Sequence, residues 1–224
     1  MKNYCRPAWL AKTLLMLGVL VIVGGSAVLV SAAPPPAALK EIEQEVNAYV
    51  PDARYADDLF ILETLREAVA GSKQLNGGIG ACLVAERSGE ILERGHNSQY
   101  VPYFKSDLHA EMDLLDRYEE RVRMTRISKP GGTGFYNPRE QYAGLVLYTS
   151  VEPCPMCLTR IINAGIRKVY YAAPDDNGGM AHKLQDLPPF WQNMAQGMTI
   201  EPARCSPVLK ELARRLFHPM GALH

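Results

Sequence analysis

With 224 residues, of which 47% are hydrophobic and 21% charged, the chain is long enough to bury one sizeable core, and its composition excludes a disordered or low-complexity protein. Its 24 Lys and Arg are matched by 24 Asp and Glu, which excludes the strong basic excess of a protein that gains its affinity by neutralising phosphates.

The first 33 residues stand apart. Lys2, Arg6 and Lys12 precede the apolar run Leu14 to Val30, and no acidic residue occurs before Glu41. This pattern, followed by the small residues Ser31 and Ala32, predicts an export signal over residues 1–33, either cleaved or kept as a transmembrane anchor through residues 14–30. The basic residues precede the apolar run, so both forms carry the rest of the chain across the membrane: periplasmic or secreted if cleaved, anchored if not. Without the three leader cations, 21 Lys and Arg face 24 Asp and Glu, and the exported part is slightly acidic.

Residues 34–53 read as a linker and a short N-terminal helix, because the prolines of Ser31 to Ala38 (SAAPPPAA) cannot continue a helix and favour an extended spacer. The remaining domain, 54–224, opens with a helix over about 54–70. There Leu59, Leu62, Leu65 and Val69 fall on one face, and Asp57 and Asp58 lie near the positive helix start. Ile79 to Asn97 predicts two strands joined at Ser88-Gly89 as an antiparallel hairpin.

A helix follows from Leu108 to about Arg123, then a loop containing Lys129 to Pro138 (KPGGTGFYNP). Ala143 to Ser150 is an apolar strand, Pro155 to Ala164 a helix ended by Gly165, and Lys168 to Ala173 a further strand. A short helix near 187–196, a strand near 198–201 and an amphipathic helix over about 207–217 complete the chain. The expected fold is a three-layer α/β/α sandwich on a mixed five-stranded sheet, its last two strands parallel.

Cys154 and Cys157 lie at the start of the Pro155 helix, on one face, where the helix N-terminus favours thiolates. Alone, such a pair reads equally as a disulfide or a redox motif, and Cys82 and Cys205 supply further thiols. His109 and Glu111 in Leu108 to Arg117 (LHAEMDLLDR) decide for metal. One imidazole and two thiolates suit zinc, with one coordination position left open for water. His109 and Glu111 are about 200° apart on an ideal helix, and only at its first turn do both reach a metal in front of it. A purely structural site needs a fourth protein ligand, for which His96 and His182 are the candidates.

The pattern H-x-E followed by P-C-x-x-C resembles the zinc deaminases of the cytidine deaminase-like superfamily, in the branch of tRNA adenosine, guanine and cytosine deaminases. The resemblance covers about Leu59 to Glu201. It implies that His109, Cys154 and Cys157 bind Zn2+, that Glu111 is the catalytic proton shuttle, and that Asn97 and the backbone of Ala110 contact substrate. It also implies a homodimer. The helix after Cys154 and the loop Gly131 to Pro138 (GGTGFYNP) are the candidate contacts, because the long loop otherwise lacks a structural role. The expected activity is hydrolytic deamination of a free nucleobase or nucleoside of guanine, cytosine or adenosine type. Export and the acidic balance argue against tRNA. The alternative to turnover is a zinc-binding sensing module of the same fold, which has no use for Glu111. The aromatic residues of Tyr100 to Lys105 (YVPYFK) read either as pocket wall or as core, and Asn97 either as a substrate ligand or as a turn former.

Overall fold

The computed structural model describes residues 21–23, 26–28, 36–128 and 138–217. The chain divides into two units, Met1–Ser31 and Ala32–His224. In the first, β1 (Val21–Val23) and β2 (Ser26–Val28) pair antiparallel, with Val21 opposite Val28. The rest of the Leu14 to Val30 run lies outside the described residues, among which no helix is long and apolar enough to cross a membrane.

The second unit is built on a five-stranded sheet of order β4-β3-β5-β6-β7, formed by β3 (Gly80–Ala85), β4 (Glu90–His96), β5 (Leu145–Val151), β6 (Lys168–Ala173) and β7 (Thr199–Pro202). β3 runs antiparallel to β4 and β5, whereas β5, β6 and β7 are mutually parallel. The β3–β4 turn places Gly89 at φ 71°, a left-handed conformation that glycine adopts without steric cost.

Successive side chains of a strand point to opposite faces, and β3 shows what that does. Cys82 and Val84 join Val146 and Tyr148 beneath α1 (Pro36–Ala48), α2 (Asp58–Lys73) and α7 (Pro207–Leu216). Ala81 and Leu83 join Leu147 and Val169 beneath α3 (Ala110–Ile127) and α5 (Pro155–Ala164). β5 is buried along its whole length, as a central strand covered on both faces must be. A short helix, α4 (Pro138–Gln141), precedes β5, and α6 (Pro189–Ala195) packs on α5 around Leu158, Ile162 and Leu187. The expected three-layer sandwich and the parallel final strands are therefore present.

Three local expectations are corrected. Pro36 to Ala38 belong to α1 and not to an extended spacer, since proline fits a first helical turn where its missing N–H has no partner anyway. α2 starts at Asp58 because residues 52–58 are taken up in turns, with Tyr55 N–H donating to Asp52 and Asp58 N–H to Tyr55. Leu59 is 49% exposed; Ile61 and Ala68 complete the buried face with Leu62, Leu65 and Val69.

The two aspartates at that helix start are buried, and they hold the segment ahead of α7. Asp57 accepts from Arg204 N–H at 2.7 Å and Tyr148 Oη at 3.1 Å, and Asp58 from Ser206 N–H at 2.7 Å and Tyr49 Oη at 2.6 Å. Hydrogen bonds to charged acceptors contribute about 1.5–3 kcal/mol each, so this cluster ties the first helices to the last.

Candidate active site

α3 and α5 begin at the same end of the sheet. Their N-cap residues are His109 (φ −65°, ψ 166°) and Cys154 (φ −70°, ψ 170°), both in extended backbone. The helix-wheel difficulty with His109 and Glu111 disappears for that reason: His109 stands before the helix, free of its 100° step, while Glu111 lies in the first turn. Pro155 occupies the first helical position of α5, and Cys157 lies one turn behind Cys154.

The close approach of α3 to the sheet depends on Gly95. A β-carbon there would lie 2.6 Å from Leu114 N and 2.7 Å from Ala110 O, both backbone atoms. Only glycine lets the helix carrying Glu111 settle at this depth.

The ligand atoms of His109, Cys154 and Cys157 all lie within 4.8 Å of one another. His109 Nδ1 is 3.6 Å from each sulfur. Tetrahedral zinc with bonds of about 2.0–2.3 Å separates nitrogen and sulfur by about 3.5 Å, so the donor set fits that ion in both chemistry and spacing.

The titratable groups of the cluster act strongly on one another. The thiol of Cys157 donates to Cys154 and, with His109, brings Cys154 down to about 4 against the opposing effect of burial. Cys157 moves the other way, well above the ordinary thiol value, through that same hydrogen bond, burial and the Glu111 charge. The hydrogen bond to Cys154 raises His109. Burial raises Glu111 above the usual carboxylate range, and the neighbouring Cys154 charge adds to it. Divalent zinc stabilises both thiolates together, which the protein alone does not.

Glu111 is 3% exposed and accepts from Thr149 Oγ1 at 3.2 Å. Thr149 escapes sequence reading. The signal for it is a polar residue in an apolar central strand, fully buried and therefore in need of a partner. Ala110 is the first residue of α3, and its N–H belongs to the turn that has no intrahelical acceptor.

Asn97 follows β4 and is buried. Its Oδ1 accepts from Gln99 N–H at 3.0 Å, the Asx-turn geometry, and its Nδ2 donates to Gln99 Oε1 at 3.1 Å. The neighbouring Ser98 N–H bonds Leu108 O, which puts the turn beside His109. The Tyr100 to Lys105 aromatics are not core: Tyr103 is 63% and Phe104 67% exposed. Neither alternative fourth ligand joins the cluster, because His96 Nδ1 is 2.9 Å from Glu67 and His182 Nδ1 2.6 Å from Glu152. Cys82, Cys154, Cys157 and Cys205 are all free thiols, so neither the redox pair nor a Cys82–Cys205 bridge is formed.

Residues 55–173 match the family described as the cytidine and deoxycytidylate deaminase zinc-binding region. Over 131 residues the chain is 30% identical to the tRNA-specific adenosine deaminase of Bacillus subtilis, covering 58% of this chain and 70% of that one. The tRNA-specific adenosine deaminase of Aquifex aeolicus is 29% identical over 123 residues, 54% of this chain and 69% of its own length. The structure of a guanine deaminase from Nitrosomonas europaea shares the fold with a TM-score of 0.52 and 22% identity, over 81% of this chain and 92% of that one. With the histidine, the two cysteines and the buried glutamate gathered at two helix starts, the chain belongs to the cytidine and deoxycytidylate deaminase zinc-binding family.

Proposed function

We propose that the protein is a hydrolytic deaminase of a free nucleobase or nucleoside, replacing an exocyclic amino group with oxygen from water and releasing ammonia. The observation that carries this reading is the Glu111 carboxyl, buried beside the His109, Cys154 and Cys157 cluster. When bound there, zinc makes water acidic enough to supply the nucleophile near neutral pH. His109, Cys154 and Cys157 would hold the ion. Glu111 accepts the proton of the attacking water at Oε, passes it to the ring nitrogen beside the amidine carbon, and assists departure of the amine. Burial supports that shuttle, since raising the carboxyl from its usual range makes it a stronger proton acceptor. Thr149 fixes the orientation of the carboxyl.

The charge pattern supports a small substrate. On and around α3, Arg117 pairs with Asp113, Arg121 with Glu93, Arg123 with Glu120, and Arg160 with Asp116 and Glu119. Guanidinium groups committed to carboxylates are poorly placed to neutralise a phosphate backbone. The competing reading is deamination of an adenosine in tRNA. It draws on the names of the two relatives and on the exposed Tyr103 and Phe104, which suit base stacking. Ammonia release from a panel of bases, nucleosides and an anticodon-loop RNA separates the readings, and turnover of the RNA alone overturns the first.

We also propose export, on Lys2, Arg6, Lys12 and the run from Leu14 to Val30, and a homodimer. Cell fractionation and light scattering test these two. Of the candidate dimer contacts, α5 is described, and residues 131–137 of the loop lie outside the described residues.

A further inference from the structure

The loop from β6 to α6 is laced to the residues just ahead of Cys154. Glu152, with its side chain 1% exposed, accepts from Asp175 N–H at 3.1 Å, His182 N–H at 3.0 Å and His182 Nδ1 at 2.6 Å. The loop wraps the carboxylate closely enough that a β-carbon on Gly179 would lie 2.5 Å from Glu152 Cδ. Met180 N–H then donates to Pro153 O at 2.9 Å, one residue from the metal ligand. Parallel sheets bind ligands beyond the C-terminal ends of their strands, and this loop leaves β6 at that end.

The turn that carries Cys154 is held without the carboxylate. Glu152 N–H donates to Ala173 O at 2.8 Å, Val151 is in register with Ala173, and Leu158 N–H closes the first turn of α5 onto Cys154 O. All three bonds to the carboxylate go instead to the two ends of residues 175–182. We infer that Glu152 and His182 are positioning residues that hold this loop as one wall of the substrate pocket, setting substrate fit and leaving metal binding to the cysteine turn. The inference rests on the deaminase reading for the substrate pocket and its kinetic consequence, and on the hydrogen bonds alone for the hold on the loop.

The test uses the zinc-loaded full chain carrying Glu152→Gln, which keeps the volume but turns an NH2 group toward donors. Amide exchange at 175–182 should accelerate about tenfold while α5 is unchanged. Zinc content should also be unchanged, and KM should rise about tenfold with kcat within about threefold. His182→Ala removes only the ring bond and should give the same pattern more weakly, which keeps the test available if Glu152→Gln does not fold. Unchanged loop exchange, loss of zinc, or a fall in kcat at constant KM overturns the inference. If the wild type deaminates nothing in the panel, the proposed function fails, and the exchange and zinc measurements still decide whether the pair holds the loop.

Discussion

Glu111 is buried beside the cluster of His109, Cys154 and Cys157, and this makes its substitution informative. Glu111→Gln should retain zinc by elemental analysis and lose about a hundredfold to ten-thousandfold in the rate of ammonia release, because the amide keeps the shape and cannot accept the proton. Thr149→Val removes the donor to that carboxyl and should lower kcat about tenfold with zinc content unchanged, as expected for one hydrogen bond to a charged group. Burial alone raises Glu152, but the donors of His182 and Asp175 outweigh it and hold its carboxyl below the ordinary 4.5. A depressed carboxylate contributes stability that is fully present above the unfolded value and lost as pH falls through the folded one. In thermal melts the gap between wild type and Glu152→Gln should therefore be open near pH 6 and close progressively below about pH 4.5. His109, Glu111, Cys154 and Cys157 were legible because each pair is local in sequence and its spacing is dictated by a helix start. Thr149 was not, since it meets Glu111 from 38 residues away through the register of a sheet.

At the level of elements, two glycines offer a controlled comparison. A β-carbon at Gly80 would lie 2.1 Å from Thr64 O and 2.6 Å from Ala68 N, in the backbone of α2. One at Gly95 meets the backbone of α3 instead. Gly80→Ala and Gly95→Ala should each destabilise by about 1–3 kcal/mol in denaturant titrations. Only Gly95→Ala should also weaken zinc retention and turnover, because His109 caps α3 and Glu111 lies in its first turn, whereas α2 bears neither. The order and type of the elements from α2 onward, α4 excepted, followed from periodicity and turn residues. Their starts did not. Asp57 and Asp58 look like ordinary helix-start acids, and only the folded chain shows them spent on Arg204 and Ser206, which displaces the beginning of α2. Leu59 was misplaced for the same reason, since the buried arc of a helix is fixed by where its neighbours sit.

Across the whole molecule, the ligand cluster joins two stretches of chain, β4 to α3 and β5 to α5, that the sheet holds on either side of β3. An ion bound to both should stabilise the folded state by mass action. Removing zinc with a strong chelator is expected to lower the melting midpoint by about 5 °C or more, and re-addition of zinc should restore it. The layer order carries a practical corollary for anyone handling the enzyme. α1 belongs to the layer of α2 and α7, whereas the metal ligands head α3 and α5 on the opposite face of the sheet. A bead or dye attached at the exposed Lys40 of α1 is thus joined in the layer away from the metal ligands, and protein immobilised there should keep the turnover number of protein in solution.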